Sequence, residues 1–332
     1  MLARVAESIY WMSRYVERAE NVARFIEVNL NLMLDLPVGS AQQWQPLVQT
    51  TGDSEAFEKL YGTATQNNVI RFLTFDADNV NSIRSCLRAA RENARSVREI
   101  ISSEMWEQLN EFYLMMNSPD AESQTDPQDL FRSIRMAGHL FTGVTNATMT
   151  HNEGWHFCRL GRMLERADKT SRILDVKYFL LLPTAADVGT TSDDIQWTAV
   201  LRSTSAFEMY RKCHGRIAPD RIVDFLLFDN EFPRAIQYCL TRAREAVHAI
   251  SGTPAGIFRH PVERLLGELC SEIAYARVET IIAGGLHEYL DRLQNKMNQV
   301  GDAISETFFA SRGTPPTRKK GKGRALAVPF SA

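Results

Sequence analysis

The stretch YWMSRYVERAENVAR at residues 10–24 decides the fold class of this chain. Its apolar side chains recur every three or four residues and continue to do so along Ile9–Leu34, while charged side chains such as Glu17 and Arg24 fall largely on the remaining surface. This spacing places the apolar side chains along one side of an α-helix, where a neighbouring element can bury them. We therefore predict an amphipathic helix of about seven turns.

A second version of the same pattern occurs 148 positions later in the chain. RYVERAENVAR at 14–24 aligns with RMLERADKTSR at 162–172, so both contain R-x-x-E-R-A-[E/D]-x-x-x-R. Further blocks follow in the same order, for example FLTFD at 72–76 with FLLFD at 225–229, at a shift of 153. We interpret this order as an internal duplication, since a repeat of this kind defines the whole fold.

The predicted organisation is an all-α, internally duplicated helical bundle of two tandem, pseudo-equivalent units. The first unit covers 1–150 and the second covers 151–311. Leu182–Ser192 is predicted to be a loop, and no segment has the alternation typical of a strand. The further predicted helices are 54–62, 78–104, 105–118, 127–149, 153–182, 194–213, 218–228, 231–251, 260–299 and 300–311.

Charge is unevenly distributed along the 332 residues. The formal net charge is −2, but all six charged side chains from residue 311 onward are basic, which leaves 32 basic and 40 acidic side chains in residues 1–310. An acidic body is not typical of a nucleic-acid-binding protein, so no nucleic-acid partner is predicted. Residues 312–332 have too little apolar content to form a core and are predicted to be a disordered basic tail.

Other classes of site and location are disfavoured by simple counts. The five cysteines include no C-x-x-C pair, which argues against a disulfide framework or a structural zinc site. No stretch of about 18 consecutive apolar residues occurs, so no membrane span is predicted. There is no G-x-x-x-x-G-K-[ST] loop for a nucleotide, so no cofactor is expected in this chain. A cytoplasmic protein is the prediction.

The repeated charged motif supplies the candidate ligand- or partner-binding residues. Within a helix, Arg14 and Glu17 are i,i+3 neighbours, and Glu20 and Arg24 are i,i+4 neighbours in the favourable order. Two interpretations are open: the two helices pack together and pair acid with Arg in a buried network, or their charges line a cleft for a ligand that carries an amine and a carboxylate. The candidate residues are Arg14, Glu17, Glu20, Arg24, Arg162, Glu165, Asp168 and Arg172, with Trp11 and Trp155 as possible pocket aromatics.

Three stretches resemble the alpha-E family of bacterial helical proteins. They are residues 10–24, EGWHFCRLGRMLERADKTSRILD at 153–175 and FLLFDNEFPRAIQYCL at 225–240. The resemblance covers the chain except its tail, and Glu17, Glu20, Arg24, Glu165, Asp168 and Arg172 lie where the family's motif lies. It implies association with circularly permuted ATP-grasp proteins, often with transglutaminase-like proteins and a proteasome-related peptidase.

Such associations imply a system that makes, attaches or removes a peptide-like amide. The leading hypothesis is that this chain is a helical accessory subunit of an ATP-grasp amide-ligase-type system and positions a peptide or amino-acid substrate. ATP and Mg²⁺ would then be bound by the partner. One alternative is a catalytic helical domain whose paired acids act as general acid and base in amide chemistry. A purely structural scaffold is the other.

A di-iron carboxylate site is a minor alternative. Such sites use a Glu-x-x-His from each of two helices and a Glu from each of two others. This chain contains Glu153 with His156 and Glu245 with His248. The duplication does not repeat the pattern, and Glu153 lies at a predicted helix start, where an acid suits the helix dipole. No metal is therefore predicted.

Overall fold

The computed structural model describes residues 1–35, 44–118, 121–122, 126–180 and 191–310. Every regular element within these ranges is helical, which confirms the predicted all-α class. The tail predicted at 312–332 lies outside the described residues. So does the loop predicted at Leu182–Ser192 up to residue 190, and a helix begins at Thr191.

The first half of the chain contains seven helices in its described part. They are α1 (Ala3–Asp35), α2 (Gln45–Thr51), α3 (Ser54–Tyr61), α4 (Gln66–Thr74), α5 (Ile83–Ser96), α6 (Ser103–Met116) and α7 (Pro127–Thr148). Polar side chains cap several of their N-termini and satisfy a backbone N–H that would otherwise lack a partner. Ser82 accepts a hydrogen bond from the backbone N–H of Ser85 in α5, and Ser102 accepts one from that of Met105 in α6.

The described part of the second half contains eight α-helices and a short π-helix. They are α8 (Glu153–Leu180), α9 (Thr191–Ser203), α10 (Phe207–His214), α11 (Pro219–Phe228), α12 (Ile236–Ser251), α13 (Pro261–Ala274), α14 (Val278–Gly284), α15 (Leu286–Ile304) and the π-helix (Ser305–Phe309). Pro219 and Pro261 lie at the first helical position, where proline lacks only an N–H that has no helical acceptor.

Several predicted helix boundaries were wrong. The segment predicted at 194–213 is two helices, because the chain turns at Ser205, whose φ is +54°. The segment predicted at 260–299 is three helices, and Gly285, with φ +96°, separates the last two. The helix predicted at 78–104 is shorter, because α5 starts at its Ser82 cap. Helices α2 and α4 were not predicted, since two turns give too little periodicity to detect.

The two long helices α1 and α8 lie side by side at the centre of the molecule. The two helices run in the same direction, as two contacts show. Met1, just before α1, bonds to Glu153 at the start of α8, and Glu17 bonds to Arg166 further along both helices. The helices approach closely at Gly161, where an added Cβ would lie 2.4 Å from the Tyr10 carbonyl oxygen. Outer helices cover the pair, with α5 and α7 against α1 and with α12 and α15 against α8.

A continuous hydrophobic core joins these layers. It includes Trp44 and Trp197, each of which follows a glutamine in the sequence, and both side chains are buried. Because α1 and α8 lie at the centre, each buries its apolar side and also part of its charged side. Among the described helices, none is long and apolar enough to span a membrane.

Candidate functional site

The charged motif of α8 is buried against α1. Glu165 has no exposed surface, and Arg18 donates to it from Nε to Oε1 at 2.7 Å and from Nη2 to Oε2 at 3.0 Å. Arg14 adds a third donor group, with its Nε 2.9 Å from Oε2. A fork of two parallel N–H···O bonds is the strongest geometry available to an Arg–carboxylate pair.

A matching contact exists in which α8 supplies the arginine and α1 supplies the acid. Arg166, which follows Glu165, donates from Nε to Oε1 of Glu17 at 2.8 Å and from Nη2 to Oε2 at 2.9 Å. Because Glu17 and Glu165 are 148 positions apart, as are Arg18 and Arg166, each Glu-Arg dipeptide accepts with its acid and donates with its base. The two dipeptides therefore form a reciprocal pair between α1 and α8, which we call the Glu–Arg clasp.

Around Glu17 the clasp is extended by residues from outside α1 and α8. Arg234, just before α12, donates to Glu17 at 3.1 Å and to Glu20 at 2.9 Å. Arg24 also forms an ion pair with Glu20, and His139 of α7 lies 3.6 Å from the same carboxylate. This side of the clasp thus joins α1, α8 and the segment before α12 through charge-assisted hydrogen bonds, with His139 of α7 beside it.

Around Glu165, the cations that extend the clasp belong to α8 itself. Lys169 lies 3.9 Å from Glu165 and 3.4 Å from Asp168, and Arg172 donates to Asp168 at 2.9 and 3.0 Å. Arg172 also approaches the turn at Gly52, whose added Cβ would lie 3.4 Å from Nη1. In the matching position Arg24 donates to Ser205, and both turn residues have positive φ, +82° at Gly52 and +54° at Ser205.

The pairing differs from the local one that sequence spacing suggested. The i,i+4 pairs Glu20–Arg24 and Asp168–Arg172 form. The i,i+3 pair Arg14–Glu17 does not form. Arg14 bonds instead to Glu165 across the interface between α1 and α8. Arg162, the first Arg of the second motif, lines a small cavity with Ser13 and Thr142 and forms no ion pair with any described residue. Its pKa is lowered by burial and by the neighbouring Arg166 guanidinium.

The electrostatics of the clasp fix its acids in the ionised state. Burial by itself would raise the pKa of Glu17, but Arg166 and Arg234 outweigh it and hold that pKa well below its usual range. In the same way Arg18 and Arg14 hold the pKa of Glu165 far below normal. Both carboxylates are almost inaccessible, with exposed fractions of 5% and 0%. Buried, permanently ionised and fully paired acids are suited to holding helices in register rather than to exchanging protons.

A cavity of about 350 Å³ opens beside the clasp, between α1, α8 and α15. It brings together three of the predicted site residues: Trp11, Arg14 and Asp168. Its volume is in the range of sites for small molecules. Trp155 is not part of it, and instead stacks on His151 at 4.1 Å between ring centroids. The complete lining is Tyr10, Trp11, Arg14, Leu164, Asp168, Met297, Asn298, Gly301, Asp302 and Ser305.

The lining of this cavity, which we call the Trp11 cavity, combines an apolar wall with a polar rim. The Arg14 guanidinium lies 4.9 Å from the centroid of the Trp11 ring and is paired with Glu165, a carboxylate that it shares with Arg18. Asp302 of α15 is exposed at the rim and is not paired with any described cation. An aromatic wall beside an unpaired carboxylate suits a ligand that carries an amine.

The π-helix forms one edge of the same cavity. Ser305, its first residue, lines the cavity, and Phe309, its last, packs on Tyr10 with ring centroids 5.4 Å apart. Short π-helical segments occur frequently at functional sites, because the wider turn redirects side chains. The Trp11 cavity is therefore the best candidate for a ligand site in the described part of the chain.

The minor metal candidates do not converge on one site. Glu153 accepts a hydrogen bond from the N-terminal amine at 2.9 Å, and Glu245 accepts one from Arg159 at 3.0 Å. His248 uses Nδ1 to contact the Thr253 carbonyl oxygen at 2.9 Å, so its ring faces a loop. Within the described ranges no three His, Cys, Asp or Glu side chains lie close enough to hold a metal ion.

Sequence reasoning missed both arginines of the clasp, Arg18 and Arg166, and also Arg234, which extends it. A signal for the first two was present, since both follow the repeated Glu and recur at the same 148-residue shift. Arg234 gave no such signal, because it lies 217 positions from Glu17 and the first half has Asn81 at the aligned position.

These features define a class of all-helical proteins built around a reciprocal Glu–Arg pair between two central helices. The chain belongs to the Alpha-E family, whose model matches residues 1–309 and is described as a predicted alpha-helical domain with a conserved ER motif. The Glu17-Arg18 and Glu165-Arg166 dipeptides of the clasp are ER sequences of this kind.

The relatives found among curated proteins are longer than this chain. Uncharacterised proteins of Mycobacterium bovis and Mycobacterium tuberculosis are each 24% identical to it over 337 aligned positions. The match covers 93% of this chain but only 37% of each relative, so the chain spans little more than a third of their length. No solved structure matches the chain.

Proposed function

We propose that this chain is a helical accessory subunit that positions a peptide or amino-acid substrate for an ATP-grasp amide-ligase-type system. The observation that carries the proposal is the Trp11 cavity, whose lining includes the Trp11 ring, the ion-paired Arg14 and, at the rim, the unpaired Asp302. The substrate amine would lie at Asp302, and its hydrocarbon part would lie against Trp11 and Leu164.

An accessory role is supported by the architecture of the relatives. In the mycobacterial proteins the matched region is 37% of the polypeptide, so this helical domain is joined to a larger remainder. We propose that the partner is an ATP-grasp protein, circularly permuted as the family resemblance implies, and that a transglutaminase-like protein belongs to the same system. ATP and Mg²⁺ would be held by the ATP-grasp partner, in the cytoplasm.

The reaction divides between the two proteins in this proposal. The partner transfers the γ-phosphoryl group of ATP to a substrate carboxylate, which gives an acyl phosphate and ADP. The amine held in the Trp11 cavity attacks the acyl carbon, an amide C–N bond forms, inorganic phosphate leaves and the amine loses a proton. This chain contributes orientation of the amine, an effect that can supply a large part of the rate enhancement of a two-substrate reaction.

We further infer that the chain arose by duplication of one helical unit, with residues 1–150 and 151–311 as the two copies. The reciprocal Glu–Arg clasp supports this, because residues 148 positions apart make the same contacts in exchanged roles. The positive φ at both Gly52 and Ser205, each beside the last Arg of the opposite motif, supports it independently.

The network also favours a scaffold role for the motif itself. Glu17 and Glu165 are saturated by Arg donors, so paired-acid catalysis by these two residues is the less favoured alternative. The scaffold and the binding roles are compatible, since the clasp fixes α1 and α8 while the cavity beside it remains open. Experiments can separate them because different residues carry each role.

Reconstitution with a circularly permuted ATP-grasp protein tests the proposal. Phosphate release from ATP is measured with amino acids and short peptides, with and without this chain. Gly301→Leu is the key variant, because an added Cβ at Gly301 has no atom within 4 Å and the longer side chain would fill the cavity. Gly143→Leu on α7 is the matched control, since its Cβ is equally unobstructed.

We expect this chain to increase amine-dependent phosphate release about tenfold or more, an effect of the size that orientation can supply. Gly301→Leu should remove that increase while its melting temperature equals or exceeds that of the wild type, whereas Gly143→Leu should retain it. The proposal is wrong if the wild-type chain adds nothing to the partner's activity, or if Gly301→Leu is as active as Gly143→Leu.

A further inference from the structure

Two grooves of the molecule occupy aligned positions in the two halves of the chain, but different side chains line them. One lies between α5 and α6, and the other lies between α12 and α13. Helices α5 and α12 align at a shift of 153, and the buried thiols of Cys86 and Cys239 contact backbone carbonyls of the aligned residues Val80 and Pro233. Helices α6 and α13 align at a shift of 157 through their buried residues, which are Met105, Leu109, Phe112 and Met116 with Val262, Leu266, Leu269 and Ile273.

The groove between α5 and α6 is filled by side chains of α6 around one arginine. Arg91 donates from Nε to Oδ1 of Asn110 at 2.7 Å. Its guanidinium carbon lies 4.8 Å from the centroid of the Tyr113 ring and 5.6 Å from that of Trp106. The guanidinium is thus enclosed by two aromatic rings and an amide, which is a favourable environment for a partly desolvated cation.

The groove between α12 and α13 lacks all three of these side chains. At the positions of Trp106, Asn110 and Tyr113, the second half has Glu263, Gly267 and Cys270. Gly267 leaves the largest opening, because an added Cβ there has no atom within 4 Å. Glu263 borders the groove, but its Oε2 is engaged at the start of α13, where it accepts the His260 N–H at 3.0 Å.

The result is an open groove bordered by a partly exposed arginine, Arg244. A cavity of about 970 Å³ lies between the two helices, and Arg244, which aligns with Arg91, borders it. Arg244 forms no hydrogen bond or ion pair with any residue in the described part of the chain. At one end of the groove the loop before α13 exposes Ile257 and Phe258, with exposed fractions of 53% and 61%. Adjacent exposed apolar side chains beside a cavity are typical of a surface that a partner covers.

We propose that this groove docks a segment of a partner polypeptide that inserts a tryptophan or tyrosine side chain beside Arg244. The occupant is indicated by the chain itself, since Trp106 and Tyr113 occupy the corresponding space beside Arg91. The inserted ring replaces the missing aromatic contact, and a neighbouring amide or carbonyl of the segment replaces the Asn110 acceptor. The apolar contacts of Ile257 and Phe258 extend the interface, as aromatic anchors in interfaces commonly require.

The alignment of the two grooves rests on the duplication inferred above, whereas the open space and the unpaired Arg244 do not. The groove also lies on α12 and α13, and the Trp11 cavity is formed by α1, α8 and α15. It is therefore a second surface, which serves partner attachment rather than substrate positioning.

Fragment binding to the isolated full chain tests this proposal. N-acetyltryptophanamide and N-acetyltyrosinamide are titrated against isotope-labelled protein, and N-acetylleucinamide serves as the aliphatic comparison. We expect saturable shifts of the Arg244 side-chain N–H and of α13 amide resonances, with the leucine compound about tenfold weaker because it cannot stack on the guanidinium.

Two variants locate the binding. Gly267→Phe places a ring in the groove from within, so it should abolish the shifts caused by the tryptophan compound and leave the melting temperature equal or higher. Gly143→Phe, on α7, has equal space at its Cβ and should bind like the wild type. The melting temperature of each variant establishes that it is folded.

The proposal is overturned if the aromatic compounds give no saturable shifts up to about 20 mM, the upper range for useful fragment affinity. It is equally overturned if Gly267→Phe binds as the wild type does, or if the leucine compound binds as well as the aromatic ones. Because binding is measured on this chain alone, none of these results bears on the phosphate-release test of the proposed function.

Discussion

Arg18 on α1 donates two hydrogen bonds to Glu165 on α8, at 2.7 and 3.0 Å, and the acid is fully buried. The neighbour of each residue makes the converse contact, since Glu17 accepts two hydrogen bonds from Arg166. In each ER dipeptide the Arg therefore donates to the Glu of the other dipeptide, so both acids and both guanidinium groups are paired. This gives a physical reason for the ER motif that describes the family: loss of either acid leaves a largely buried guanidinium without its carboxylate.

Removal of one clasp acid should be strongly destabilising. Glu165→Gln leaves Arg14 and Arg18 facing a neutral amide in a buried place, and breaking a buried pair in this way costs about 3–5 kcal/mol in the free energy of unfolding. Glu268→Gln is the matched control, because its ion pair with Arg264 is exposed and is worth about 0–1 kcal/mol. Urea denaturation followed by circular dichroism measures both. Equal effects of the two substitutions would contradict the structural role of the clasp.

The close approach of α1 and α8 should make Gly161 intolerant of any side chain. The new methyl group of Gly161→Ala would lie 2.4 Å from the Tyr10 carbonyl oxygen, so the helices must separate, at a cost of about 1–3 kcal/mol. Gly143→Ala meets no atom within 4 Å and lies within α7, so it should stabilise by about 0.5–1 kcal/mol. Thermal denaturation of the two variants should shift in opposite directions, and a shift in the same direction would argue against this helix contact.

The acid that caps α13 should show a defined pH dependence. Burial tends to raise the pKa of Glu263, but hydrogen bonds from the backbone N–H groups of Arg259 and His260 and from neighbouring hydroxyls lower it to about 2. A carboxyl group with a lowered pKa in the folded state stabilises the protein above its unfolded pKa, and loses this contribution as the pH falls toward the folded value.

Glu263→Gln should therefore be less stable than the wild type by about 1 kcal/mol at pH 7, the usual value of an N-terminal cap. The difference should shrink as the pH falls from about 4.5 to about 2. Denaturant midpoints of both proteins at pH 7, 4 and 3 measure it. A difference that is constant over this range would show that the carboxylate charge is not what caps the helix.

His139 should remain neutral in mildly acidic solution. Its side chain is about half exposed, and partial burial together with the Arg24 and Arg234 guanidinium groups lowers its pKa to about 4. Because the folded state binds the proton less well than the unfolded state, this residue reduces stability as the pH falls through 6.5 toward 4. Imidazole resonances followed by NMR should show His139 unprotonated at pH 5.5, and His139→Gln should weaken the loss of stability in that interval. A titration midpoint near 6.5 would contradict the proximity of these guanidinium groups.

Helix existence was the most predictable level of the structure. The periodicity of residues 9–34 gave a helix that extends over Ala3–Asp35, because a helical period depends only on neighbours along the chain. The i,i+4 pairs Glu20–Arg24 and Asp168–Arg172 were predictable for the same reason. Short helices such as α2 were missed, since seven residues cannot display the period clearly.

The sequence by itself determined the all-helical class, the two charged helices and the residues Trp11, Arg14 and Asp168 as candidates for a site. Only the tertiary structure decided which charges meet. Arg14 bonds to Glu165 rather than to Glu17, and Arg234 reaches an acid 217 positions away. Local spacing fixes the face on which a charge lies, but its partner depends on how two helices cross, and that crossing is set by packing among residues distant in the chain.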